Sequence, residues 1–81
     1  MRLDKYLKVS RLIKRRTVAN EACDAQRVSV NGKPAKASYD VKVGDKITIG
    51  FGQRQLTVEV LQVAETVRKD DAAAMYRELS S

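Results

Sequence analysis

The pair Asn31-Gly32 constrains the fold of this chain most. It stands between Val28-Ser29-Val30 and Lys33-Pro34-Ala35. Asn-Gly beside alternating residues is the strongest short-range signal for a two-residue hairpin, because both central positions need a positive φ that Asn and Gly accept most easily. Two further stretches alternate with period two. Ile47, Ile49 and Phe51 interleave with Lys46, Thr48 and Gly50, and Leu56, Val58 and Val60 follow a turn at Gly52-Gln53-Arg54. Val43-Gly44-Asp45 is another turn, and residues 36–42 read as a loop or short strand. Alternation of this kind predicts an antiparallel sheet buried on one face. Pro34 has no N–H for a ladder, so its segment belongs on an edge. Leu61 and Val63 run out of phase with Val60, which predicts a bulge or strong bend near Val60-Leu61.

Helical spacing replaces alternation at both ends. Leu3, Tyr6 and Leu7 mark a helix over residues 2–9, with Arg2, Lys5 and Lys8 on its other edge. Residues 10–14 turn the chain and tuck Leu12 and Ile13 inward. A second helix over residues 15–25 faces inward through Val18, Ala19, Ala22 and Cys23, and outward through Asn20, Glu21 and Asp24. Residues 70–81 predict a third helix, capped by Asp70 or Asp71 and buried through Ala72, Met75, Tyr76 and Leu79. The class is α+β: two N-terminal helices on a small, strongly bent antiparallel sheet, with a short C-terminal helix. A chain of 81 residues forms one domain and has no room for a deep catalytic cleft.

Charge narrows the function. The formal net charge is +6, and all of it resides in the first 16 residues, where Arg2, Lys5, Lys8, Arg11, Lys14, Arg15 and Arg16 face one acid, Asp4. Such polarisation points to a polyanionic partner. Like charges at helical spacing are unfavourable on their own, and a partner offsets that cost. Lys14-Arg15-Arg16 open the second helix, whose dipole and free N–H groups already favour anions, so they form a phosphate-binding corner.

Other chemistries find little support. The chain has no histidine, no Gly-rich phosphate loop and no CxxC spacing, so no catalytic residue, metal ligand or cofactor is expected. Cys23 reads as a small core residue, and a lone cysteine fits a reducing cytoplasm. No apolar run approaches membrane-spanning length, and none follows the N-terminal charges as in a secretory signal, so no membrane partner is expected. Scattered aromatics argue against stacking of single-stranded bases, and Asn20, Glu21 and Asp24 make a poor surface for a DNA major groove. Folded RNA, held through its backbone, remains.

Four motifs then occur in order: Arg2-Leu3-Asp4, Arg16-Thr17, Arg27-Val28-Ser29-Val30-Asn31-Gly32-Lys33 and Gly44-Asp45-Lys46-Ile47. This pattern resembles the S-four (alpha-L) RNA-binding domain over about residues 2–50. It divides the chain into an S-four-type domain over residues 1–65 and a helical extension of the same domain over residues 66–81. The whole-chain pattern, including Ala72 to Ser80, resembles a stand-alone branch of that family without an enzymatic portion. That resemblance implies a cytoplasmic, ribosome-associated factor that is a monomer off the ribosome. It implies binding to 50S subunits obstructed by peptidyl-tRNA, contacts with 23S rRNA and P-site tRNA, and work with RqcH in alanine tailing of stalled chains. A heat-shock-type recycler of such 50S subunits is the competing reading.

In either case Arg2, Lys5, Arg11, Lys14, Arg15 and Arg16 are expected to grip phosphates. Thr17 supports the corner, and Lys33 and Lys36 extend the surface. Arg16→Ala is expected to weaken 50S association with little loss of fold stability. One departure from the family pattern stands out: Gln26 occupies the place usually held by glycine. The second helix must therefore end either on a strained left-handed Gln26 or in some other way.

Overall fold

The computed structural model describes residues 1–65 and 67–79. Two helices come first, α1 (Leu3–Val9) and α2 (Arg16–Asp24). Strands β1 (Val28–Val30), β2 (Lys33–Pro34), β3 (Lys46–Phe51) and β4 (Arg54–Val60) follow. A 3-10 helix (Lys69–Met75) leads into β5 (Tyr76–Leu79). The strands form one sheet in the order β2-β1-β3-β4-β5, and every neighbouring pair is antiparallel.

The turn chemistry sets the register. Val30 pairs with Lys33 across Asn31 and Gly32, whose φ values of 54° and 84° suit a type I′ turn. Phe51 pairs with Arg54 across Gly52-Gln53, with Gly52 at φ 63°. One sheet face carries Val28, Ile47, Ile49, Val58 and Val60, all buried. Leu3, Tyr6 and Leu7 of α1 and Ala19 and Cys23 of α2 complete that core, with Ile13, Ala37, Val41 and Met75. On the other face Thr48 and Thr57 share a hydroxyl hydrogen bond of 3.1 Å.

Loop 36–42 is stitched along the start of α1. The Leu3 and Asp4 N–H groups donate to the carbonyls of Tyr39 (2.8 Å) and Ala37 (3.2 Å). Two of the first-turn donors of α1 are thus satisfied by backbone rather than left for an anion. Helix α2 ends in a Schellman motif: Gln26 N–H donates to Cys23 O at 3.0 Å and Arg27 N–H to Ala22 O at 2.9 Å. Gln26 takes the left-handed position with φ 61°, so the strained alternative holds. Arg11, just after α1, is also left-handed at φ 64°.

Four local expectations change. The helix expected over residues 70–81 is a 3-10 helix only as far as Met75. Residues 76–79 then pair with β4, from Val60↔Tyr76 to Thr57↔Leu79. The outer edge of β4 needs partners for its backbone groups, and that demand overrides the helix propensity of the segment. Arg68 rather than an aspartate holds the N-cap position; Asp70 and Asp71 sit in the first turn without capping it by a side chain. Ala72 and Met75 are buried as expected, Tyr76 and Leu79 are half-buried, and Ser80 and Ser81 lie outside the described residues.

The phase break at Val60-Leu61 is the end of β4, not a bulge within it. Leu61 and Gln62 both donate N–H to the one carbonyl of Met75, at 2.8 and 3.1 Å. Val18, expected inside, is 46% exposed, because Ala19 and Cys23 already fill the contact of α2 with the core.

Candidate nucleic-acid interface

The feature that orders the basic surface is an acid. Asp4 is 2% exposed and receives four hydrogen bonds. Its Oδ1 accepts Arg2 Nε–H at 3.2 Å and the Lys5 backbone N–H at 2.8 Å. Its Oδ2 accepts Arg16 Nε–H at 3.2 Å and Asn20 Nδ2–H at 3.4 Å. Burial alone would raise this carboxyl's pKa. The bonds from Arg16, Asn20, Arg2 and the Lys5 N–H outweigh burial and hold it below 3.8. The sequence marks Asp4 as a lone counter-charge and as the end of the Arg2-Leu3-Asp4 motif; the i, i+12 partnership with Arg16 has no local signature.

This changes the expectation for Arg16. Its side chain remains 46% exposed, yet it shares the buried Asp4 carboxylate with Arg2. Arg16→Ala therefore removes one of the bonds that compensate a buried charge, and fold stability falls with it.

The remaining candidates line separate hollows. Arg16 and Thr17 of α2 line a hollow with Asp4, Asn20 and Glu21. Arg2 and Lys36 line the neighbouring groove with Asn20 and Asp24, and Lys33 and Lys36 border the hairpin beyond it. Glu21 and Asp24 bring negative charge to these rims. In a separate cleft, Arg11 and Lys14 stand with Lys8, Lys69 and one acid, Glu65. Lys8 belonged to the N-terminal charge run, but Lys69 was not legible as a neighbour of it. Lys5 is ion-paired with this Glu65, so its charge is already answered within the fold. Glu65, which is exposed, titrates below its ordinary 4.5 because Lys5 bonds it and adds a favourable charge.

Arg15 holds the N-cap position of α2 with extended backbone and no side-chain cap. Helix α2 has no acid in its first turn, so its N-terminal dipole is unopposed there. Arg15 and Lys14 make no ion pair among the described residues.

Cys23 is buried, and its thiol is pushed up to about 11 by that burial first and by Asp4 and Asp24 next. Among the described residues no group of three His, Cys, Asp or Glu side chains could hold a metal ion. No helix of the described residues is long and apolar enough to cross a membrane.

Known proteins match the chain closely. The model of the S4 domain matches residues 1–47. The RQC P-site tRNA stabilizing factor of Bacillus subtilis (strain 168) is 59% identical over 76 residues, covering 94% of this chain and 88% of that protein. The factor of the same name from Helicobacter pylori (strain ATCC 700392 / 26695) is 37% identical over 73 residues, covering 88% of this chain and 87% of its own length. The trimeric structure of Vibrio cholerae heat shock protein 15 superposes with a TM-score of 0.91 at 32% identity, over 99% of this chain and 82% of that one.

Proposed function

We infer the function from one premise: this chain belongs to the S4 domain family. We propose that it is a non-catalytic RNA-binding factor of bacterial ribosome quality control in the cytoplasm. It binds 50S subunits obstructed by peptidyl-tRNA, touches 23S rRNA and the P-site tRNA, and supports RqcH-dependent alanine tailing of the stalled chain. The name of the Bacillus subtilis relative supports the tRNA and quality-control parts of this reading.

The observation that carries the RNA part is the distribution of cations on a rigid support. Arg2 and Arg16 project from one buried carboxylate, while Lys8, Arg11, Lys14 and Lys69 line a separate cleft. In our reading Arg2, Arg11, Lys14, Arg15 and Arg16 grip RNA phosphates. Thr17 donates beside them, and Lys33 and Lys36 widen the surface. Lys5 contributes least, since Glu65 already holds it. Cations in separate hollows suit a protein that touches RNA through several phosphate contacts.

The test replaces Lys14 and Arg15 together by Ala. Both are exposed and make no ion pair among the described residues, so the melting temperature should stay within about 4 °C, the shift expected of surface changes below roughly 0.5 kcal/mol. Co-sedimentation with obstructed 50S subunits should weaken at least about tenfold, and the slope of log K against log salt should flatten by about 1.4 to 1.8 for two lost phosphate contacts. Unchanged sedimentation and an unchanged slope would remove the corner from the interface.

The fold-level match to heat shock protein 15 favours a second reading, a recycler of the same 50S particles. A deletion strain separates the two: stalled chains lose their alanine tails under the first reading and keep them under the second. We expect a monomer off the ribosome. Sedimentation equilibrium checks this against the trimeric form of the Vibrio relative.

A further inference from the structure

We propose that Asp4 is a positioning residue that presents Arg2 and Arg16 as one preformed phosphate fork. This rests on the RNA-binding reading above and goes beyond it, because Asp4 itself touches no RNA.

The argument starts from which atoms are engaged. Arg2 and Arg16 each hydrogen-bond Asp4 through Nε. Among the described residues neither guanidinium makes a hydrogen bond through Nη. The outer fork of each arginine, the part that matches a phosphate bidentately, is therefore left to a ligand. Both side chains are about half exposed, at 52% and 46%, whereas Asp4 is 3% exposed at its side chain. A buried anchor thus holds two solvent-facing heads.

The anchor is itself held at both oxygens. It lies in the first turn of α1, and the Lys5 N–H and Asn20 Nδ2–H fix one oxygen each from the inner side. Two guanidinium groups on one carboxyl would repel each other in its absence. With it they are ordered before RNA arrives, which lowers the entropy cost of binding. Arg2 precedes α1 and Arg16 opens α2, so the carboxylate also joins the two elements that carry the fork.

A plain electrostatic account makes the opposite prediction about Asp4. Removing an anion from a chain of formal net charge +6 should tighten RNA binding. The fork account says that Asp4→Asn loosens it, because Asn can still accept but no longer offsets two guanidinium charges. The sign of the change separates the two.

The experiment titrates the full chain against purified 50S subunits carrying peptidyl-tRNA at several potassium chloride concentrations, with the melting temperature of each variant measured alongside. Asp4→Asn should bind about tenfold more weakly despite its higher net charge, at a temperature where it remains folded. Arg16→Lys keeps the charge, but its single ammonium must choose between Asp4 and a phosphate, so it should also lose about tenfold. Arg54→Lys, on the β3–β4 hairpin, should bind as the wild type does.

Asp4→Asn and Arg16→Lys binding as tightly as wild type, or more tightly, would overturn the fork. If Asp4→Asn does not fold, Arg16→Lys decides alone against the Arg54→Lys reference. A wild-type chain that fails to bind the subunits overturns the RNA reading itself, which is a different result from a bound wild type with indifferent variants.

Discussion

Replacing Gln26 by Gly should stabilise the protein. Gln26 is held at φ 61°, where an L side chain costs about 1–2 kcal/mol through the clash of Cβ with the following carbonyl. Glycine has no Cβ and escapes that clash. Its extra freedom in the unfolded chain returns about 0.5–1 kcal/mol of the gain. The net benefit is about 0.5–1 kcal/mol, or a rise of about 4 °C in melting temperature for a domain of this size. Little is lost in exchange, because the Gln26 side chain is exposed and makes no hydrogen bond among the described residues. The two Schellman bonds, from Gln26 N–H and Arg27 N–H, use backbone alone and survive the change. Thermal melts followed by circular dichroism, with urea titrations beside them, measure the effect. Gln26→Ala is the control: it removes the side chain but keeps Cβ, so it should gain nothing. A Gly variant that melts at or below wild type, or an Ala variant that gains as much as Gly, would refute the strain argument.

Further expectations test other parts of the fold. Tyr6→Phe removes the hydroxyl that donates to Met75 O at 2.8 Å, and it should cost about 1 kcal/mol in urea unfolding. The cost stays at the low end because Leu61 and Gln62 N–H still satisfy that carbonyl. Gly44→Ala, at φ 94°, should lose about 1 kcal/mol or more. Gly50→Ala, where an added Cβ would meet Arg27 O at an ordinary 3.5 Å, should gain about 0.5 kcal/mol, as read by paired melting curves. The pH dependence follows from Asp4, whose folded pKa lies below 3.8. Its stabilising contribution is full above the unfolded value and is lost as pH falls through the folded one. Acid titration of stability should show a loss below about pH 4 that Asp4→Asn makes shallower.

The parts legible in the sequence were those fixed by short-range rules. Asn31-Gly32 determined a hairpin because few other residues accept its two dihedral angles. Leu3, Tyr6 and Leu7 determined the face of α1 because helical geometry places them together. The C-terminal end is not legible locally because Tyr76 and Leu79, three apart, fit one side of a helix and lie on opposite faces of a strand; the open edge of β4, present only once the sheet exists, makes it a strand. Val18 was misassigned because helix periodicity gives a direction and not the reach of the core.

The candidate site was legible as a composition but not as an arrangement. Seven cations near the N-terminus announced a polyanion. Which of them are held, and by what, depended on Asp4 meeting Arg16 and on Glu65 meeting Lys5, across 12 and 60 residues. No local pattern encodes such separations.

The carbonyl of Met75 gathers three donors: the Tyr6 hydroxyl, Leu61 N–H and Gln62 N–H. Tyr6 and Met75 are 69 residues apart in sequence. Their bond makes the closure of α1 onto the sheet a long-range event, in which almost the whole described chain must be looped before its ends can meet. A chain cut before residue 75 should therefore lose this tie between α1 and the sheet, while the contacts of α1 with residues 16, 37 and 39 remain.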